Sequence, residues 1–128
     1  MKLKVVTPQR VVFEDDNVDA VYAMAIDGEV GILPNHVPLV APLDIGVLHY
    51  KKGNHKQAVT IMGGLLRTNG QSVSILTHAA EQANEIDPGR AKEAKNRAES
   101  GLQSATDKHE HQMALKRATA RLKVVENR

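Results

Sequence analysis

The apolar residues of this 128-residue chain change period part-way along it. That switch restricts the fold more than any single motif does. Up to about residue 77 the apolar positions are largely β-branched and come in short runs, at 4–7, 18–25, 47–51, 58–62 and 73–77. Such side chains suit a pleated surface and lose rotamer freedom in a helix, so the runs read as strands. Asp27-Gly28, Lys52-Gly53-Asn54 and Asn69-Gly70 fall between them. Asn-Gly between two apolar alternations is a strong hairpin signal. Short strands at regular spacing, with no helices between them, point to a β-sandwich or barrel.

After Ala79 the β-branched residues thin out, and Ala, Glu, Lys, Arg and Gln replace them. These residues lose least entropy in a helix. Asp87 followed by Pro88 supplies an N-cap and a first-turn proline, and Ala91, Ala94, Ala98, Leu102 and Ala105 then recur three or four residues apart. A second stripe, Leu115, Ala118, Leu122 and Val125, comes after Asp107, with a polar connection over 103–109. The expected class is therefore α+β: an N-terminal β-sandwich over 1–84 followed by a C-terminal antiparallel α-helical hairpin over 85–128. Phe13, Tyr22 and Tyr50 are the only aromatic residues, so the core must be aliphatic.

The first helix faces its partner almost entirely with alanine. A buried methyl is worth on the order of 0.8 kcal/mol, so the stripe contributes little against the cost of ordering long Lys and Arg side chains. Gly101, in mid-helix, removes up to about 1 kcal/mol more. A loosely docked hairpin, a few kcal/mol from alternative placements, is one reading. A permanently packed helical cap is the other, and periodicity alone favours it.

Several chemistries are excluded or left thin. The chain has no cysteine, which removes disulfides, zinc fingers and thiol catalysis. His109 and His111 point to different helix faces, and His49 and His55 flank a turn with no carboxylate cluster nearby, so no metal site is expected. Ser72, Ser74, Ser100 and Ser104 lack the setting of a nucleophile elbow. Met62-Gly63-Gly64-Leu65 lacks the Gly-Lys-Ser/Thr or helix start of a phosphate-binding turn, and its glycines read as a bulge or a close backbone approach. The N-terminus alternates charge with apolar residues and reads as a strand rather than a signal peptide. No run approaches the roughly 20 apolar residues needed to span a bilayer, so membrane association is expected only through a partner.

Charge is uneven. From Asp87 onward there are ten Lys or Arg against six Asp or Glu, and before it seven against nine. The basic part either meets something acidic or is simply a solvated helix surface. Nucleic acid is a poor fit, because no aromatic residues accompany Lys116, Arg117, Arg121 and Lys123 for base stacking. Arg90 and Arg97 are seven apart, and Arg117 and Arg121 four apart, so each pair lies on one helix face. Folded antiparallel, the two pairs either converge on a phosphate chain or remain a solvated surface.

The segment Gly28-Glu29-Val30-Gly31-Ile32-Leu33-Pro34-Asn35-His36-Val37-Pro38-Leu39, with Leu43 and Gly46 after it, resembles the epsilon subunit of bacterial F-type ATP synthases. The likeness continues through Gly63-Gly64, Ala79-Ala80-Glu81 and Ile86-Asp87-Pro88-Gly89-Arg90-Ala91. It extends over Ala114-Leu115-Lys116-Arg117-Ala118 and Arg121-Leu122, so it covers essentially the whole chain.

The resemblance implies a sandwich of about ten strands carrying the hairpin, in a non-catalytic subunit that needs no cofactor. It implies a place on the central stalk at the cytoplasmic face of the cell membrane, in contact with the gamma subunit and the ring of c subunits, with Glu29 and His36 facing the ring. It implies that the hairpin either folds on the sandwich or extends into the alpha/beta hexamer and blocks ATP hydrolysis, with Lys116, Arg117, Arg121 and Lys123 meeting an acidic loop of the beta subunit. Several members also bind ATP in the folded state. Here the matching positions are Glu81, Ile86, Asp87, Arg90, Ala91, Arg97, Arg117 and Arg121, with Pro88-Gly89 in the middle of the motif.

Overall fold

A computed structural model describes residues 1–104 and 108–126. Eight strands come first: β1 (Lys2–Val6), β2 (Val11–Asp15), β3 (Ala20–Ala25), β4 (Gly28–Ile32), β5 (Leu39–Lys52), β6 (His55–Thr68), β7 (Ser72–Leu76) and β8 (Ala80–Gln82). A 3-10 turn (Ala83–Glu85) then leads into two helices, α1 (Pro88–Ser104) and α2 (Lys108–Glu126). The strands form one hydrogen-bonded sheet in the order β2-β1-β7-β6-β5-β3-β4, with β8 also paired to β6.

The long β5–β6 hairpin turns this sheet into a sandwich. Its half near Leu39 and Thr68 pairs with β7 and leads on to β1 and β2. Its other half pairs with β8 on one side and β3 on the other. The described residues thus form eight continuous strands, where the resemblance implies about ten, because β5 and β6 each serve in both layers. Leu3, Val5, Leu66, Val73 and Ile75 from one layer meet Val21, Ile32, Leu48 and Val59 from the other, all essentially without exposure. The core is aliphatic, as the composition requires; its one ring stack is Phe13 on Tyr50, centroids 4.8 Å apart.

The three turn signals each join a strand pair: β3 to β4, β5 to β6, and β6 to β7. Gly64 marks a close backbone approach. Its φ is +125°, and a Cβ there would run into the carbonyl oxygen of Leu76. The neighbouring Gly63, at φ +76°, completes the bend.

The hairpin lies folded on the sandwich. α1 packs on α2, and α2 packs on β5 and β6. α1 uses the expected stripe as far as Leu102, with Ala91 and Ala98 buried; Ala105 and Asp107 lie outside the described residues. α2 departs from its expected stripe. It buries Ala118, Ala120 and Val124, while Leu115, Leu122 and Val125 are only half-buried. A single stripe serves one neighbour, whereas α2 has two, the first helix and the sheet, and therefore needs a wider apolar face. Docking on the sheet centres on Val124, Ile86 and Ala91, with Val47 and Ala58 beside them.

Candidate functional site

Where the sandwich hands over to the helices, the backbone is tied down on both sides. The hydroxyl of Thr60, wholly buried on β6, accepts a hydrogen bond from the Glu81 N–H at 2.9 Å and so fixes the β8 residue that begins the site. One residue on, Gln82 and Glu85 form a capping box around the 3-10 turn, with the Gln82 N–H donating to Glu85 Oε1 at 3.0 Å. Glu85 Oε2 accepts from Arg10 Nη2 at 2.6 Å, and Gln82 Nε2 donates to the carbonyl of Val12. Burial pushes the Glu85 carboxyl up, but the Gln82 N–H and the Arg10 guanidinium outweigh it, so its pKa lies below the usual value. The turn is thereby clasped to the β1–β2 hairpin.

Ile86 is buried and anchors the next step. Asp87 caps α1 as the sequence predicts, its Oδ1 accepting from the Arg90 N–H at 3.2 Å. Its own carbonyl takes the Ala91 N–H. Pro88 opens the helix, where its missing N–H leaves no unmet partner. The N-terminus of α1, with the positive end of the helix dipole, thus borders the cleft beside it, its Arg90 and Ala91 N–H groups already taken by Asp87.

That cleft, of about 510 Å³, is lined by Glu81, Glu85, Ile86, Asp87, Arg90, Ala91, Glu93, Ala94, Arg97 and Arg121. It falls in the size range of small-ligand sites, roughly 300–1,000 Å³. Seven of the eight residues that the resemblance groups for ATP are together here: Glu81, Ile86, Asp87, Arg90, Ala91, Arg97 and Arg121. The eighth, Arg117, is not part of the lining; its Nη2 pairs with Glu110 Oε1 at 3.1 Å. Arg90, Arg97 and Arg121, from two helices, thus line one space together with the carboxylates of Glu81, Glu85, Asp87 and Glu93, next to a helix N-terminus; guanidinium groups suit phosphate oxygens. Arg121 is held there by Glu81, Nε to Oε1 at 2.6 Å.

The other candidate residues lie elsewhere. Lys116 and Lys123 line a separate groove under α2, and Lys116 Nζ is 3.1 Å from Asp44 Oδ2 on β5. Glu29 lines that same groove, and His36 does not. His36 sits in the loop after β4, where Asn35 has a φ of 68° and the loop bonds to the β6–β7 turn, Asn35 N–H to the Gly70 carbonyl at 2.8 Å. Leu33, Val37 and Val40, around this loop, are more than half exposed.

Sequence reasoning missed Arg10, Glu85 and Asp44. Glu85 had a signal, since Gln82 and Glu85 stand at capping-box spacing just before Asp87-Pro88. Arg10 and Asp44 had none, because their partners are 75 and 72 residues away. Among the described residues no group of three His, Cys, Asp or Glu side chains could hold a metal ion, and no helix is long and apolar enough to cross a membrane.

Comparison with known proteins gives a consistent picture. Residues 1–83 match the family model for the ATP synthase delta/epsilon chain β-sandwich domain, and residues 84–126 the model for its long α-helix domain. The chain is similar to the ATP synthase epsilon chain of Halalkalibacterium halodurans, 43% identical over 97% of this chain and 96% of that one. It is 45% identical to that of Syntrophobacter fumaroxidans, over 98% and 96%, and 50% identical to that of Anoxybacillus flavithermus, over 81% and 77%. Among solved structures, a chain of the Euglena gracilis mitochondrial ATP synthase, in an assembly containing OSCP, F1 and the c-ring, superposes with a TM-score of 0.81 at 25% identity, covering 92% of this chain and 76% of that one.

Proposed function

The chain belongs to the ATP synthase delta/epsilon family, with the epsilon chains as its relatives, and we propose that it is the non-catalytic central-stalk subunit that restrains ATP hydrolysis through its helical hairpin. The sandwich, 1–84, is the fixed unit on the stalk, against the gamma subunit and the ring of c subunits. Glu29 and His36 belong to the ring contact, and the exposed Leu33, Val37 and Val40 give the loop around His36 an apolar surface to bury there. Association with the cytoplasmic face of the membrane runs through this assembly alone.

The hairpin, 85–128, is the movable unit. Folded, it binds ATP in the cleft formed by Glu81, Ile86, Asp87, Arg90, Ala91, Arg97 and Arg121, with Arg117 joining once it leaves Glu110. Extended, it presents Lys116, Arg117, Arg121 and Lys123 to an acidic loop of the beta subunit and stops rotation in the hydrolysis direction.

One observation carries this reading: three of the four cations assigned to the acidic partner are engaged by carboxylates in the folded state. Lys116 pairs with Asp44, Arg121 with Glu81 and Arg117 with Glu110. Each pair is partly solvent-exposed, and such pairs contribute only about 0–1 kcal/mol. The cations can therefore exchange one set of carboxylates for another at small net cost, which is what a two-position element requires.

Reconstituted synthase carrying a chain that ends at Ile86 tests the proposal. Assembly and proton coupling should persist while ATP hydrolysis rises. Failure of the truncated chain to assemble would make the hairpin a structural element instead.

A further inference from the structure

The carboxylates that share the cleft with Arg90 and Arg97 work against a polyphosphate ligand. An unpaired carboxylate there repels phosphate oxygens and competes with them for the guanidinium groups. Glu81 is met from within the lining, by Arg121. Glu85 is met from outside it: Arg10, its partner, follows β1 in the turn to β2 and is not part of the lining.

Both oxygens of Glu85 have a donor, Oε1 the Gln82 N–H at 3.0 Å and Oε2 the Arg10 Nη2 at 2.6 Å. Burial pushes the carboxyl up, yet these two donors hold its pKa below the usual value, so it is an anion at pH 7 and requires a counter-charge. Arg10 is well placed to supply one. Its carbonyl accepts from the Thr7 N–H at 2.9 Å, and its own N–H donates to Thr7 Oγ1 at 3.3 Å. Thr7 is buried, and Gln82 Nε2 donates to the carbonyl of Val12 two residues on from Arg10. The Arg10 guanidinium is therefore supported by the sandwich rather than by the hairpin.

We propose that Arg10 is a positioning residue for the nucleotide site: by pairing with Glu85 it withdraws that carboxylate from competition and leaves Arg90 and Arg97 to phosphate oxygens. The inference rests on the reading of this cleft as the ATP site, and it adds a residue of the β1–β2 turn to the groups on which affinity depends.

Calorimetric titration of the full chain with ATP tests it. Arg10→Ala should weaken ATP by about fivefold, the upper end of what a partly exposed ion pair contributes, and the gap from wild type should narrow as salt is raised. Arg10→Lys keeps the charge and should bind like wild type. Glu85→Gln keeps a capping-box acceptor without the charge. Alone it should not weaken ATP, and combined with Arg10→Ala it should restore wild-type affinity. Lys52→Ala, which opens the Lys52–Asp15 pair outside the lining, should leave binding unchanged. Wild-type affinity in Arg10→Ala, a loss that salt and Glu85→Gln leave unaltered, or an equal loss in Lys52→Ala would overturn the role of Arg10, while the loss expected for Arg90→Ala would still keep ATP in the cleft. Undiminished binding in Arg90→Ala would overturn the cleft as the ATP site and this inference with it.

Discussion

Arg121 on α2 reaches across the cleft to Glu81 on β8, its Nε 2.6 Å from Oε1, and joins the last helix to the last strand. Both side chains are about two-thirds or more shielded. Glu81 is itself held by Thr60, so the pair fastens α2 to a rigid point of the sandwich rather than to a loop. Glu81→Gln and Arg121→Ala should each loosen the hairpin, with a coupling between them of about 0.5–1 kcal/mol in a double-mutant cycle. Urea denaturation followed by helix ellipticity reads it. Strictly additive effects would mean that the contact does not hold the hairpin.

The three arginines that line the cleft should matter more to nucleotide than the one that does not. A charge-assisted hydrogen bond is worth roughly 1.5–3 kcal/mol, so Arg90→Ala and Arg97→Ala should each weaken ATP binding by about tenfold to a hundredfold in calorimetric titration. Arg117 must first give up Glu110, and Arg117→Ala should have the smaller effect. An equal or larger loss at Arg117 would place the phosphates away from this cleft.

Gly101 looks like a weak point of α1, because Ala is the better helix former by about 1 kcal/mol. In the fold a Cβ at Gly101 would run into the imidazole of His111 on α2. Gly101→Ala is therefore expected to destabilise the hairpin despite its higher helix propensity. Combining it with His111→Ala, which clears the space, should recover stability and exceed His111→Ala alone. A stabilising single substitution, measured by thermal unfolding, would contradict the close packing of the two helices.

His49 gives the fold a pH dependence with a definite sign. Burial lowers its pKa from 6.5, Lys56 and Lys123 lower it further, and Glu29 opposes them. The unfolded chain then binds more protons than the folded one as pH falls through 6.5. The stability present above that pH is lost progressively toward the lowered folded pKa. His49→Gln should flatten this limb of the stability curve, and Glu29→Gln should extend it to lower pH. A wild-type curve no steeper there than that of His49→Gln would contradict the burial of the ring.

The sequence and the fold agree where side-chain period and turn chemistry act locally. The β-branched runs, the three hairpin turns, the Asp87 cap and the alanine stripe of α1 are all decided within a few residues, and all are legible. β2, β4 and β8 are not, since they are short and partly exposed and gain their place by pairing with distant strands. The lengths of β5 and β6 are hidden by Pro42 and by Gly63-Gly64, which break a strand pattern locally, while the hairpin ladder includes Pro42 and Gly64 and resumes in register past Gly63. The cleft is legible only in part. Spacing places Arg90 with Arg97 and Arg117 with Arg121, but the rotation of α2 that brings in Arg121 is set by its two packing partners, while Arg117 bonds Glu110 seven residues back on the same helix. The Lys116 to Asp44 contact joins residues 72 apart in the chain, which no local pattern announces.

A hairpin docked mainly through Val124, Ile86 and Ala91 should open more readily than the sandwich beneath it, and a nucleotide seated between them should close that difference. Amide hydrogen exchange on the full chain, with and without ATP, measures both at once. Protection in α1 and α2 should be well below that in β5 and β6 without nucleotide, and should rise by up to about a hundredfold at free ATP near a hundred times its Kd, with the strands unchanged. Protection in the helices equal to that of the strands, and indifferent to ATP, would contradict a movable hairpin held by ligand.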